Sequence, residues 1–348
     1  MRATLAALTL LSLIASAATA ATLLVANKSD DTVDLIDLAT GKSYATLPTG
    51  NAPHEVGVSP DGRTAVVTDY GDRETPGSTL TVVDLEKVEV VRTVDLGEHT
   101  RPHGVVWLSN DKLTVTTEGS AHLLVVDPHA GEILSAVETA QRVSHMVAAT
   151  PDGKRAFVAN IGSGSVTAID LEAGTKLADV VTGDGAEGVA VTPDGSEVWV
   201  TNRAGDTLTV LDPATLEVIA TIPCAGFPIR IQITPDGSRA LVSAARSGEV
   251  VLFDVAERRE IHRSQLDLSS ISDDEGRLFA GRFGDSPVPI GLVVAPDGET
   301  AWIAATQSDA VVVIEPATLE VRGVLTAGRE PDGMAYGPLA RPVPSPGE

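Results

Sequence analysis

The chain is predicted to fold as an all-β, seven-bladed β-propeller with four-stranded blades, and three observations carry that prediction. A pattern of ~42 residues repeats along most of the 348-residue sequence. Each copy holds four short β-rich runs separated by turn residues, none long enough for a helix. The repeats also start and stop out of phase, so that the last blade is completed by both ends of the chain.

Residues 1–20 stand apart from the repeats. Arg2 gives a positive start, Leu5 to Ile14 an apolar stretch, and Ala18-Thr19-Ala20 a small-residue cleavage pattern, so this segment reads as a signal peptide. The apolar stretch is shorter than the ~20 residues of a membrane span. Export to the periplasm or the medium is expected, with the mature chain starting near Ala21.

The repeat is anchored by a turn: Pro60-Asp61-Gly62, Pro151-Asp152-Gly153, Pro193-Asp194-Gly195, Pro235-Asp236-Gly237 and Pro296-Asp297-Gly298. Ser109-Asn110-Asp111 is a degenerate copy, and Pro338 closes a truncated one. Proline fixes φ, aspartate caps the turn and glycine accepts a positive φ, so these aspartates are read as turn residues and not as metal ligands. Strand A precedes the turn and strands B, C and D follow it. In one copy these are Gly188 to Thr192, Val198 to Asn202, Thr207 to Asp212 and Val218 to Pro223. The sequence opens with a B-type strand, Leu23 to Asn27, and closes with an A-type one, Pro331 to Pro338. Pairing the two removes the free edges that would invite aggregation. Residues 21–340 are therefore expected to form one domain, and the proline-punctuated stretch 341–348 a disordered tail.

Composition narrows the function. A formal net charge of -23 favours a soluble protein and disfavours nucleic-acid or anionic-lipid partners. The single cysteine, Cys224, rules out an internal disulfide and is read as a buried structural thiol. A monomer is expected, with a small molecule or a periplasmic protein as its partner.

Leu24-Val25-Ala26-Asn27, Phe157-Val158-Ala159-Asn160 and Trp199-Val200-Thr201-Asn202 resemble the Tyr-Val-Thr-Asn signature of the YVTN family of β-propeller repeat proteins. Thr32 to Asp37, Ser165 to Asp170 and Thr207 to Asp212 resemble that family's Thr-Val-x-Val-Ile-Asp strand. The resemblance covers nearly the whole mature chain and implies the propeller. The functions it implies are diverse: surface proteins, periplasmic binding proteins, lactonase-like hydrolases and a lyase.

One position of the repeat changes chemistry from blade to blade. Six residues before each turn proline, at the start of strand A, stand His54, His103, His145, Glu187, Ile229, Ile290 and Asp332. Strands A surround the axis, so these residues form one collar, polar on one arc and apolar on the other. Three of the chain's seven histidines fall here. Neutral imidazoles beside carboxylates suit a divalent transition metal (Zn, Cu, Fe, Mn or Ni), and the expected ligands are His54, His103, His145 and Glu187. The alternative is a wet channel whose polar lining bonds to water.

A second ring is read seven residues past the turn, where strand B ends: Asp69, Glu118, Asn160, Asn202, Ala244, Ala305 and, in the closing blade, Asn27. Glu187, Asp332, Asp69 and Glu118 are the candidate acid–base groups. Two insertions reach the same face, Tyr70 to Gly77 and roughly Gln265 to Ser286. The second brings Phe279 and Phe283 towards Ile229 and Ile290, and these four with Arg230 make up the expected ligand pocket. The functional expectation is a metal-assisted hydrolase or lyase acting on a small molecule, the alternative being a propeller that binds a ligand, metal or partner without chemistry. His99 and the arginines Arg101 and Arg329 are weaker candidates, while His122, His129 and His262 are read as structural.

Overall fold

The computed structural model describes residues 21–268, 277–279 and 281–339. The expected signal peptide and tail, and residues 269–276 of the second insertion, lie outside the described residues. Seven four-stranded antiparallel sheets are arranged around an axis. Blade 1 is Pro53–Val58, Thr64–Gly71, Pro76–Asp84 and Glu89–Asp95, its strands A to D from the axis outwards. Blades 2 to 6 follow with strands A at Pro102–Ser109, Ser144–Ala149, Ala186–Val191, Pro228–Ile233 and Pro289–Val294. Among the described residues the one helical element is the 3-10 turn Thr306–Ser308.

Closure follows the predicted scheme. In blade 7 the C-terminal strand Pro331–Gly337 pairs with the N-terminal strand Thr22–Asn27, placing Leu24 opposite Ala335 and Val25 opposite Met334. Thr32–Asp37 and Lys42–Pro48 complete that blade. Strands B and C, apolar on both faces, are buried between neighbouring blades, with Phe157, Trp199 and Phe253 wholly enclosed. Strands D alternate towards solvent, as an outer edge should.

The Pro-Asp-Gly aspartates do serve as turn caps. Asp61 accepts hydrogen bonds from the Ser59 hydroxyl at 2.6 Å and the Arg63 amide at 3.1 Å, and Asp194 repeats this with Thr192 and Ser196. The degenerate turn is different: Ser109 pairs directly with Lys112, so its loop is one residue shorter. The first insertion is not a free loop but an extension of the B–C hairpin, with Gly71 pairing with Pro76. Asp72 caps its tip by accepting from the Glu74 and Thr75 amides at 2.8 and 2.7 Å.

Two backbone features recur at every start of strand A. The residue two places before the collar position has positive φ in all seven blades: Ala52, Arg101, Val143, Gly185, Phe227, Val288 and Glu330. Immediately after it, strand A slips in register against strand B, from Pro53 to Val56 in blade 1 and likewise in the others. Such a bulge re-aims side chains. Here it turns the collar residue, and in three blades the residue after it, into the axial channel.

Candidate functional site: the axial funnel

The collar exists as one buried ring. His54, His103, His145, Glu187 and Asp332 are each less than a tenth exposed and line a cavity of about 400 Å³ together with Ile229 and Ile290. The imidazoles touch in sequence order: His54 and His103 lie 5.0 Å apart between ring centroids, and His103 and His145 3.7 Å apart.

The second ring is not the one read from spacing. The residues paired with the first residue of strand A are Asp69, Thr117, Asn160, Asn202, Ala244, Ala305 and, with Pro331, Asn27. The shorter turn in blade 2 moves Thr117 into this ring and Glu118 one place beyond it. That next place holds, in chain order, Lys28, Tyr70, Glu118, Ile161, Arg203, Ala245 and Thr306, of which the first five line the funnel. Glu118 is thus at the site, while Asp69 is spent elsewhere. Its carboxylate accepts from the Thr79 and Thr81 hydroxyls, at 2.8 and 3.0 Å, and from the Gly50 amide at 3.0 Å. Spacing missed Lys28 and Arg203, and gave Tyr70 only as the start of the first insertion; the place they share lies one residue past the ring that was counted.

His145 is gripped from both sides. Its Nδ1 bonds Glu118, whose other oxygen accepts from the Tyr70 hydroxyl, and its Nε2 lies 3.3 Å from Glu187. Burial pulls the His145 pKa down, but these two carboxylates outweigh it and hold the imidazole proton more tightly than usual. His103 and His54 lie well below the ordinary histidine range, chiefly by burial and then by neighbouring positive charge. They are therefore neutral near pH 7. The His54 Nδ1 is 2.9 Å from the Ala52 carbonyl, which fixes the proton there and leaves Nε2 as a lone pair. The His103 Nδ1 is buried without a hydrogen-bond partner, the Glu55 carboxylate being 4.0 Å away.

Beneath the collar a second level was missed altogether. The residue after each collar position is Glu55, Gly104, Met146, Gly188, Arg230, Gly291 or Gly333. Glu55 and Arg230 meet in a buried ion pair across the channel. Arg230, expected in the ligand pocket, is therefore also part of its floor. The charges then pair off: Lys28 with Asp332 at 2.5 Å, Arg203 with Glu187 at 2.9 Å and Arg230 with Glu55, while the His145 imidazole bonds Glu118. Lys28, followed by His54 and Arg230, outweighs burial and holds the Asp332 carboxyl down at about 2. That makes Asp332 a weaker base than an ordinary carboxylate.

Phe279 and Phe283 cover the apolar arc. Phe279 packs in a cluster with Phe227, Ile229, Val288 and Ile290, and its ring stacks on Phe283 at 5.3 Å. Arg277 fastens this lid to Asp309 by two bonds of 2.9 and 2.8 Å, and Glu330 accepts from the Leu278 amide at 2.6 Å.

One group of potential ligands converges, and an ion held there would replace the hydrogen bond from His145 Nδ1 to Glu118. His103, Glu118 and His145 each offer an atom within 4.8 Å of the others. Of the expected ligand set, His103 and His145 are in this group, Glu187 orients His145 from its far side, and His54 stands next to His103. The remaining histidines lie outside the funnel. His99 and His122 face each other at 4.8 Å, and His129 bonds the Asn110 carbonyl.

The chain matches the family model of the cytochrome D1 heme domain over residues 107–283, just over half its length. It belongs to the cytochrome D1 heme domain family. The YVTN resemblance rests on the strand motifs alone. No curated protein sequence matches it. Among solved structures it is similar to Kuenenia stuttgartiensis hydrazine synthase, with a TM-score of 0.70 at 20% identity over 86% of this chain and 93% of that one. It is also similar to a functionally unknown protein of Desulfotomaculum acetoxidans, with a TM-score of 0.74 at 16% identity over 90% and 98%. At these identities the likeness is one of fold.

The family's description raises the question of a heme. The funnel does not fit a macrocycle. His103 is packed against His145, and the apolar arc that would carry a flat ring is filled by Phe279. The wider mouth, a cavity of about 730 Å³ beside His54, is lined by both acidic and basic residues, among them Asp31, Asp72, Glu330, Lys28 and Arg101, with Tyr70 and Leu278. The donor set suits a single ion.

Proposed function

We propose that the protein is an exported propeller whose funnel binds one divalent transition metal through His103, His145 and Glu118 and converts a small molecule admitted beneath the Phe279 lid. The observation that carries this reading is the convergence of those three ligands within 4.8 Å in a cavity with room beside them. Bound there, a metal would act as a Lewis acid on a carbonyl or on water. The chain's own groups are arranged to support that chemistry. Glu187 and Tyr70 fix the orientation of His145 and Glu118, His54 supplies a second neutral imidazole, and the Glu55–Arg230 pair closes the floor against bulk water. The hydrolase or lyase reading is thus kept, with Glu118 moved from acid–base group to ligand. Export, with a working place in the periplasm or outside the cell, rests on the N-terminal segment; no helix among the described residues is long and apolar enough to cross a membrane.

Calorimetric titration of the mature protein with Zn, Cu and Mn tests the site. His103→Ala should weaken binding of the preferred ion at least ~100-fold, while His262→Ala, on an outer strand, should leave it unchanged. Because ligands must be deprotonated and His145 holds its proton more tightly than an ordinary histidine, affinity should fall as pH is lowered. Equal affinity in the wild type and the His103→Ala variant would refute the metal reading. Stoichiometric uptake of added hemin with a shifted absorbance band would replace it with a macrocycle.

A further inference from the structure

At the funnel mouth, three guanidinium groups converge on one phenyl ring. The guanidinium carbons of Arg246, Arg203 and Arg282 lie 4.7, 5.3 and 5.7 Å from the centre of the Phe227 ring. Such a cluster is unexpected in a chain with 48 acidic and 25 basic residues, because like charges this close repel unless anions compensate them. Two of the three are compensated: Arg203 by Glu187 at 2.9 Å and Arg246 by Asp206 at 3.8 Å. Arg282 has no carboxylate partner among the described residues. Its head group instead rests over Phe283 at 5.3 Å and Phe279 at 5.8 Å as well as Phe227.

An arginine stacked on aromatic rings keeps the edge of its planar fork free, and that edge matches a carboxylate with two parallel hydrogen bonds. The side chain lines the same cavity as the His collar, as do Ile229 and Ile290.

We propose that this funnel takes a small monocarboxylate with an apolar body. Its carboxylate pairs with Arg282, its apolar part lies on Phe279 and the isoleucines, and its other end points at the His collar. One uncompensated guanidinium sets the charge at a single negative unit, and the short apolar arc sets the size at about one ring or a short chain. The proposal rests on the reading of the collar as the working site, but the binding step does not need a metal.

The test is calorimetric titration of chelator-treated, metal-free mature protein with benzoate, hexanoate and the neutral isostere benzamide. Benzoate or hexanoate should bind saturably with one site, and benzamide at least ~10-fold more weakly. Arg282→Ala should lose at least ~10-fold in carboxylate affinity, Arg282→Lys should recover part of it, and Arg322→Ala, on an outer strand, should change nothing. Arg282 is exposed, so its variants should melt with the wild type. Equal binding of benzoate and benzamide, an unchanged Arg282→Ala variant, or no saturable carboxylate binding would each overturn the proposal. If carboxylates fail to bind while metal binding persists, the metal reading survives alone. If they bind and no metal does, the anion site survives without it.

Discussion

Asp69 is a carboxylate in a place designed for an amide. Its ring equivalents Asn27, Asn160 and Asn202 donate Nδ2 hydrogens to threonine or serine hydroxyls of strand C, and Asn27 accepts from the Gly328 amide as Asp69 does from Gly50. Burial raises the Asp69 pKa to about 6 despite the hydrogen bonds from Thr79, Thr81 and Gly50. A carboxyl whose folded pKa is raised contributes stability below its unfolded value of 3.8 and loses it as pH rises through about 6. At pH 7 the wild type bears the cost of an ionised, buried carboxylate that Asp69→Asn lacks. The substitution should stabilise the protein by about 1–3 kcal/mol at pH 7, and by progressively less as pH falls towards 4. Thermal melts at pH 7, 5 and 4 check this, and a gain that grows on acidification would contradict it. The collar residues were legible at this scale because each is counted from a turn that repeats. Glu118 was found by a count that was off by one, and Glu55 was invisible because its partner Arg230 lies 175 residues away.

At the scale of the element, strand A is both the scaffold and the aiming device. After the collar residue, four blades carry glycine, and the reason is the next blade. A Cβ on Gly104 would sit 2.8 Å from the His145 carbonyl oxygen and 2.9 Å from the Met146 Cα, and one on Gly188 2.4 Å from the Ile229 carbonyl oxygen. The carbonyls crowded by these glycines are also tied from behind. The Thr116 hydroxyl accepts from the Gly104 amide at 2.8 Å and donates to the His145 carbonyl, and Thr201 does the same for Gly188 and Ile229. Gly104→Ala therefore has to push His145 away from His103, because backbone atoms cannot yield as a side-chain tip can. We expect a loss of about 1–3 kcal/mol in stability and at least ~10-fold in metal affinity. Gly323→Ala, with nothing within 4 Å of the added atom, should be neutral in both measurements. Equal effects of the two substitutions would show that the blade contact does not position the collar. The strands themselves were readable from alternation and turn chemistry. The bulges and the positive-φ ring were not, since Ala52, Arg101 and Val143 carry no sequence sign of a left-handed backbone and are held there by the ring they join.

At the scale of the molecule, the ring is closed by a single strand pair, and the site depends on that closure. Pro331–Gly337 lies between Thr22–Asn27 of its own blade and the strands A of blades 6 and 1, and it buries Met334 and Ala335. It also brings Asp332 to Lys28, and the Thr306 hydroxyl donates to the Pro331 carbonyl at 2.7 Å. Removing residues 331–348 would leave the backbone of Thr22–Asn27 unpaired along the axis, a gap in the inner ring and Lys28 without its buried counter-charge. An unpartnered buried charge alone costs several kcal/mol, about 3–5 where one member of such a pair is removed. Removing residues 341–348 touches none of these contacts. The longer truncation should lower the melting temperature by at least ~10 °C or abolish soluble expression, while the shorter should melt within about 1 °C of the full chain. Adding a separate peptide of residues 331–340 to the longer truncation should restore part of the loss, because the open edge presents the same hydrogen-bonding row. Equal melting of the two truncations would mean that six blades hold the ring without the seventh, and the collar would then have to be explained without closure.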